Sequence, residues 1–422
     1  MSRRWYAHLQ SGYPIQKLLD LAANKLTGVS KGHEMNKWGR YALLSCRPLI
    51  HKTQNQAGQY LSKALVASGM SIAFIPSPNR FVLHAGYPPE PFLSAAAVQR
   101  MPKAEDWVQW LRDMIVADYV SRGDCGELIS RVLLTMARDL AHKEEMERIR
   151  TCESQEPNLT LESVPPGHEP VLLCDFLKHF VGHDEWDVVA GTRPVSMCED
   201  DTNSKTLKDF LGDRAVVDFT CFGVAQDDHA FTYEGMVIAL CQGAAIVCRP
   251  NEKLYDSLIT FLLDRDKGFT EDTLGLILVQ DKNSKTRQNP VLDLTKLPCG
   301  TKFPIISILH QPAQQPPRGK RCVTATPGKE RQSARIRTDK HSRLPPIYKI
   351  GVYGSRLIGD EVLRELLNAD DPLQRHRAGS ALATDAQAIV ELNRFYAVPS
   401  GEAARRHGFN EHIDPLSTRQ QK

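Results

Sequence analysis

The spacing of apolar residues predicts that the first part of the chain is mainly helical. The stretches 107–120 and 126–150 both place apolar side chains three and four positions apart, which is typical of amphipathic helices. In the second stretch these side chains are Ile129, Val132, Leu133, Met136 and Leu140. A short β-like segment at 70–92 interrupts this pattern, with a turn at Ser77-Pro78-Asn79. We therefore predict a mainly helical region over residues 1–150.

The pattern changes to mixed helix and strand after a polar, proline-rich segment at 151–168, which we interpret as a linker. Two helical patterns follow, in PVLLCDFLKHFVG and KTLKDFLG. Strand patterns then occur in AVVDFTCFGV, GAAIVCRP, YDSLITFLL and LGLILVQDK. Because the last three strands follow one another closely, antiparallel pairing is favoured. The sequence predicts an α/β core over residues 169–310, with a small mixed sheet flanked by helices.

Residues 311–346 differ from this core because they contain few large apolar side chains. From Arg318 to Arg343 the segment has nine lysines and arginines against two acids. One interpretation is a solvated, flexible insert, and the other is a flexible basic arm that binds phosphates. After it, PIYKIGVYGSRLIG is typical of a closing strand, and residues 347–422 are predicted to end in helices.

Composition and charge argue against a globally basic nucleic-acid-binding protein, a zinc or disulfide protein, and a membrane protein. The 53 basic and 50 acidic residues nearly balance, so any nucleic-acid-binding surface has to be local. The ten cysteines form no C-x-x-C pair and lie in apolar segments, which indicates reduced thiols rather than zinc or disulfides. No signal peptide or membrane-spanning segment is evident. We expect an intracellular protein, nuclear or cytoplasmic, with no membrane partner.

Candidate chemistry centres on GLILVQDKNSKT, residues 275–286. An apolar run there ends with Gln280 and Lys282, which alternation turns to one face. Asp256 occupies the preceding predicted strand. An acid on one strand beside an amide and a lysine on the next suits metal-assisted phosphodiester hydrolysis, in which oxygens hold Mg²⁺ or Mn²⁺ and the lysine orients water. We therefore predict that Asp256 and Gln280 bind the metal and that Lys282 is catalytic.

A neutral amide is a weak magnesium ligand, so a further acid is expected at this site. The candidates are Glu127, which opens the helix predicted at 126–150, and Glu234, which precedes the strands. Asp281 is a poorer candidate, because alternation turns it to the face opposite its neighbours. His179 and His183 have helical i, i+4 spacing but lack the acid of an H-E-x-x-H motif, so we interpret them as surface or helix-contact residues.

Five stretches, taken in order, resemble the PD-(D/E)xK nuclease superfamily, the fold of many restriction endonucleases. They are RGDCGELISRVLLTMARDL, HEPVLLCDFLKHFVG, FTYEGMVIALCQGAAIVCRPNEKLYDSLI, GLILVQDKNSKT and IYKIGVYGSR. They span roughly residues 120–360. More specifically, the chain is similar to the nuclease portion of fungal proteins akin to the Crinkler and retrotransposon-hot-spot families, which are linked to mobile elements and effectors.

This resemblance implies a restriction-endonuclease-like α/β core and a metal-dependent DNase. Asp256 matches the metal-binding aspartate of the family, and Gln280 and Lys282 match its (E/Q)-x-K pair. The expected partner is DNA, with RNA not excluded, gripped by the basic arm through Arg318, Lys320, Arg321, Lys329 and Arg331. Full-length relatives carry a P-loop domain, but no G-x-x-x-x-G-K-[ST] occurs in this sequence, so an ATP site is not predicted.

A second hypothesis comes from a different class of function. A chain can keep a fold and lose its chemistry, so an inactive remnant that binds nucleic acid or protein remains the alternative.

Overall fold

The computed structural model describes most of the residues between 13 and 367. The described residues are 13–30, 33–50, 55–67, 72–74, 84–86, 91–101, 104–120, 125–153, 169–195, 205–225, 228–248, 255–282, 303–312, 323–325, 345–355, 357–358, 363 and 366–367.

Helices dominate the N-terminal region, as predicted. They are α1 (Ile15–Thr27), α2 (Lys37–Cys46), α3 (Gln56–Ala67), α4 (Pro91–Arg100), α5 (Ala104–Val116) and α6 (Cys125–Glu153). The predicted β-like piece is a two-stranded antiparallel sheet of β1 (Ile72–Phe74) and β2 (His84–Gly86). Helix α1 ends because Gly28 adopts φ 70°, and its N–H donates to the Asn24 carbonyl.

The second region alternates strands with short helices. The helices are α7 (Leu173–Val181), α8 (Trp186–Ala190), α9 (Leu207–Leu211) and α10 (Tyr233–Cys241). The strands are β3 (Val171–Leu172), β4 (Val216–Val217), β5 (Cys221–Val224), β6 (Ala244–Val247), β7 (Ser257–Leu262), β8 (Leu274–Asp281), β9 (Ile305–Gln311), β10 (Val323–Ala325) and β11 (Ile347–Tyr353). The predicted helices at 173–181 and 207–211 and the predicted strands β4 to β8 and β11 are therefore confirmed.

All nine strands of this region form one mixed sheet. Its main order is β10-β11-β9-β8-β7-β4-β3, and β6 pairs with both β5 and β7. The pairs β6/β7 and β7/β8 are antiparallel, as their close succession predicts, whereas β8/β9 and β9/β11 are parallel. The sequence patterns do not predict strand β9. Strand β10 lies inside the segment for which they predict a flexible insert.

Apolar side chains cover both faces of the sheet. Helices α6 and α7 pack on the first face, where Ile277 and Val279 of β8 belong to a core that extends into the N-terminal helices. Helix α10 packs on the second face, where Leu276 and Leu278 belong to a separate core. Two-sided burial explains why β8 reads as a continuous apolar run.

The N-terminal helices and the sheet share one continuous core. Residues of α1 to α6 belong to the same apolar cluster as one face of the sheet. The sequence places a linker at 151–168, but residues 151–153 form the end of helix α6, and 154–168 lies outside the described residues. The closing strand is β11. Of the predicted C-terminal helices, only positions 363, 366 and 367 are described as helical. In the part of the chain that the structure describes, no helix combines the length and the apolar character needed to cross a membrane.

Candidate active site

One edge of the mixed sheet gathers the start of β7 with the ends of β8 and β9. Antiparallel pairing sets Ser257 against Val279, and parallel pairing sets Asp281 beside His310. The first turns of α6 reach the same edge, because Ser130 Oγ lies 3.0 Å from His310 Nδ1. Residues far apart in the sequence therefore meet at this edge.

Asp256 is tied to the end of β8 by two hydrogen bonds. Its backbone N–H donates to the Val279 carbonyl at 2.8 Å. Its carboxylate Oδ2 accepts the backbone N–H of Asp281 at 2.6 Å. The side chain is thus fixed over the strand end rather than pointing freely into solvent.

The electrostatic surroundings raise the pKa of Asp256 from 3.8 to about 7. Burial is the largest cause, since it penalises the charged form, and the carboxylate of Asp281 is the second. Glu127 adds to the increase, while the Asp281 N–H and the Lys282 ammonium oppose it. Three acids and a lysine therefore lie within electrostatic reach of one another, and Glu127, Asp256 and Lys282 are all among the site residues that the sequence predicts.

The two candidate ligands at the end of β8 lie on different faces of the sheet. Asp281 follows the alternation of Ile277 and Val279 and lies on the first face, where its Oδ1 is 3.2 Å from His310 Nδ1. Gln280 follows Leu276 and Leu278 onto the second face. The predicted alternation is present, but the acid with the largest effect on the pKa of Asp256 is Asp281, which sequence reasoning ranked low.

Sequence reasoning missed His310 and Ser130 altogether. The imidazole of His310 is 1% exposed, and the Asp281 carboxylate is 3% exposed. Among the described residues, His310 Nε2 and Asp281 Oδ2 are buried and have no hydrogen-bond partner. A signal does exist in the sequence, because the apolar run IISILHQ at 305–311 ends in two polar residues, just as β8 does. That parallel between the two runs could have identified a second strand end.

The remaining predicted residues differ in their placement. Glu127 is 48% exposed in the first turn of α6, and its Oε2 lies 3.8 Å from Arg131 Nη1. The backbone N–H of Lys282 donates to the His310 carbonyl at 2.9 Å, which fixes the chain just past β8. Glu234 is exposed in the first turn of α10 and is not among the groups that shift the pKa of Asp256. The structure thus groups Glu127 and Lys282 with Asp256, and it does not group Glu234 with them.

The carboxylates at this edge suit a divalent cation that needs only one or two protein ligands. Within the described ranges, no group of three or more His, Cys, Asp or Glu side chains is arranged to hold a metal ion. Mg²⁺ and similar ions, however, commonly use one or two carboxylates and keep several waters. Asp281 Oδ2 is a buried carboxylate oxygen that no described residue contacts by a hydrogen bond, and adjacent Asp256 is destabilised in its charged form by its neighbours. A cation would satisfy both groups.

Two other predicted features lie away from this edge or outside the described residues. His179 Nε2 is 2.9 Å from Glu144 Oε2, and His183 Nε2 is 3.4 Å from His179 Nδ1. The contact between His179 and Glu144 joins α7 to α6, in agreement with the helix-contact interpretation. The proposed nucleic-acid contacts are outside the residues that the structure describes: Arg318, Lys320, Arg321, Lys329 and Arg331.

Comparison with protein-family models, with curated proteins and with solved structures found no match to this chain.

Proposed function

We propose that this chain is a metal-dependent phosphodiesterase of the DNase type, with a restriction-endonuclease-like core, in a mobile-element or effector protein. The observation that supports this proposal is the clustering of Glu127, Asp256 and Lys282 at one strand edge. These residues come from three separate parts of the sequence, and their chemistry alone predicts them as site residues. A buried acid beside other acids and a lysine is an arrangement that catalytic sites use.

Asp256 and Asp281 are the residues that would hold a Mg²⁺ or Mn²⁺ ion. A divalent cation held there would activate water at neutral pH and offset the negative charge of the phosphate. Asp281 contributes the carboxylate that Gln280 lacks, because Asp281 Oδ2 is buried beside Asp256 without a hydrogen-bond partner in the described part of the chain. Glu127, which is more exposed, would complete the site from α6 through water.

Lys282 supplies the positive charge of the site. The backbone N–H of Lys282 is bound by the His310 carbonyl, and its ammonium group lowers the pKa of Asp256. The ammonium group is therefore close enough to interact electrostatically with this carboxylate. An ammonium group at this position can orient the attacking water and stabilise the developing charge on the phosphate oxygens. This role does not require sequence-specific contacts with a nucleic acid.

Burial and the neighbouring acids raise the pKa of Asp256 to about 7, so this carboxyl keeps its proton at a higher pH than an ordinary aspartate does. Carboxylate ligands must lose their protons before a cation binds. Acidic solutions should therefore weaken cation binding, and neutral to alkaline solutions should favour it.

The experiment that tests this function measures cleavage of supercoiled plasmid DNA and of single-stranded RNA by the purified protein. Reactions contain Mg²⁺, Mn²⁺ or EDTA, and Lys282→Ala is tested beside the wild type. Nicking that needs the metal and is lost in Lys282→Ala supports the proposal. Plasmid that is retarded on a gel but not cut by the folded wild type would instead favour the inactive, binding-only alternative.

A further inference from the structure

His310 is buried between the proposed metal ligand Asp281 and the helix that carries Glu127. It lies opposite Asp281 in the parallel β8/β9 ladder. Its Nδ1 is 3.2 Å from Asp281 Oδ1 and 3.0 Å from Ser130 Oγ. Ser130 lies three residues after Glu127 on α6 and is completely buried. The imidazole thus connects two elements of the site through one nitrogen.

Hydrogen-bond chemistry selects one form of this imidazole. An ionised Asp281 only accepts hydrogen bonds, so His310 Nδ1 has to carry the proton that reaches it. The same N–H is also close enough to Ser130 Oγ for a shared, three-centred bond. His310 Nε2 then has no partner among the described residues, and the ring packs on Phe180 with centroids 5.5 Å apart. With Asp281 ionised, these contacts fit an Nδ1–H imidazole that packs on Phe180.

We propose that His310, together with Ser130, is a positioning residue that orients the Asp281 carboxylate toward its metal-binding role. This inference rests on the proposed function. With Oδ1 engaged by His310, Oδ2 is the oxygen of Asp281 that remains available for a cation. The Ser130 contact fixes the first turns of α6 against the same strand end, so a single imidazole sets the positions of both Asp281 and Glu127.

The test measures Mn²⁺ affinity by isothermal titration calorimetry and the unfolding temperature of each variant. His310→Phe keeps a ring of similar volume and removes the donor, whereas His310→Asn keeps a donor close to the Nδ1 position. Ser130→Ala removes the second contact without opening a large cavity. Ser307→Ala is the matched control, because Ser307 is a buried hydroxyl on the other face of β9.

Loss of an outer-shell partner commonly weakens metal binding about 10- to 100-fold. We expect a loss in that range for His310→Phe, a smaller loss for Ser130→Ala, and affinities within about threefold of the wild type for His310→Asn and Ser307→Ala. A folded His310→Phe variant that binds Mn²⁺ as tightly as the wild type would overturn the inference. Equal losses in His310→Phe and His310→Asn would also overturn it, because a donor placed close to the Nδ1 position would then recover no affinity. If His310→Phe does not fold, wild-type affinity in Ser130→Ala has the same consequence.

Two further readouts separate this inference from the proposed function. A wild type that binds no Mn²⁺ and cuts no DNA would refute the proposed function and the inference together. A wild type that does both, with unchanged affinity in the variants, would refute the positioning role alone. Independently of metal, two-dimensional ¹H–¹⁵N spectra of the wild-type imidazoles should show His310 as the Nδ1–H form, and an Nε2–H form would contradict the proposed hydrogen bonds to Asp281 and Ser130.

Discussion

The backbone N–H of Asp281 donates to Oδ2 of Asp256 at 2.6 Å, which joins two acids across neighbouring strands. The bond holds the Asp256 side chain over the end of β8, beside the Asp281 carboxylate that raises its pKa. Repulsion between the two acids is therefore built into the folded state. Such repulsion costs stability unless a proton or a cation offsets it.

Replacing Asp256 with asparagine should stabilise the folded protein at pH 8 and less so at pH 5. The pKa of Asp256 is raised from 3.8 to about 7 on folding, so its neutral form stabilises the fold. That contribution is present below pH 4 and is lost as the pH rises to 7. The shift corresponds to about 4 kcal/mol if it is fully expressed, and we expect about 1–3 kcal/mol at a site that water can reach. Asparagine keeps the acceptor for the Asp281 N–H.

The measurement is denaturant unfolding of the wild type and Asp256→Asn at pH 5 and pH 8 without metal. Asp266→Asn is a control, since Asp266 is an exposed acid near Arg214. An Asp256→Asn variant less stable than the wild type at pH 8 would contradict the repulsion between Asp256 and its neighbours.

Asp281→Asn should weaken Mn²⁺ binding at least tenfold, whereas Gln280→Ala should change it less than threefold. The reason is geometric, because Asp281 lies on the face of β8 that meets His310 and Gln280 lies on the other. Calorimetric titration with Mn²⁺ at pH 7.5 measures both affinities, and circular dichroism checks that both variants fold. If Gln280→Ala weakened Mn²⁺ binding more than Asp281→Asn did, Gln280 rather than Asp281 would be the metal ligand.

Arg47→Met should destabilise the protein by about 3–5 kcal/mol, because the partly buried Asp139 then keeps, among the described residues, only the longer, 3.7 Å contact of its carboxylate with Arg138. The Arg47 side chain is fully buried, with Nη1 and Nη2 each 2.7 Å from an oxygen of Asp139 and Nε donating to the Thr220 carbonyl. Equilibrium unfolding in guanidinium gives the change in the free energy of unfolding.

The matched control for this prediction is Arg214→Met, whose ion pair with Asp266 is exposed on both sides. Exposed pairs contribute about 0–1 kcal/mol, so this variant should unfold almost as the wild type does. Equal effects in the two variants would show that the buried Arg47–Asp139 pair contributes no more stability than an exposed pair.

Gly275→Ala should destabilise the sheet by about 1–3 kcal/mol, because the added methyl group would lie 2.2 Å from the ring of Phe261. Phe261 is the cross-strand partner of Gly275 and covers the space where a side chain would stand. Gly268→Ala is the control, as no atom of the described residues lies within 4 Å of the added carbon. Thermal unfolding of both variants tests the prediction, and an unchanged melting temperature in Gly275→Ala would refute it.

Replacing Arg318, Lys320 and Arg321 with alanine should weaken DNA binding and reduce its dependence on salt. Each phosphate that the protein no longer neutralises reduces the slope of log K against log salt by about 0.9. Binding measured by fluorescence anisotropy at several salt concentrations gives this slope. An unchanged slope would exclude these three residues as phosphate-binding groups.

Local sequence patterns predict most of the strands and helices that carry the candidate site residues. The continuous apolar run of β8 and the apolar stripe of α6 place Gln280, Lys282 and Glu127 on the correct elements. The pairing of β8 with β9 cannot be derived in this way, because a parallel ladder depends on contacts distant in the sequence. The sequence can therefore indicate that His310 ends a strand, but it cannot predict that His310 lies beside Asp281. Alternation assigns Asp281 to the correct face, but it does not show that Asp256 bends over the strand end toward Asp281, since that depends on one hydrogen bond.

The proposed metal site lies between Asp256 and Asp281 at the edge of the sheet, and the function proposed for the chain depends on it. The most direct measurement is the anomalous difference density of crystals grown with Mn²⁺. We expect a peak about 2.0–2.2 Å from a carboxylate oxygen of each of these residues, close to the distances typical of small divalent cations. Manganese bound elsewhere, with no density between the two carboxylates, would show that these acids do not form the metal site.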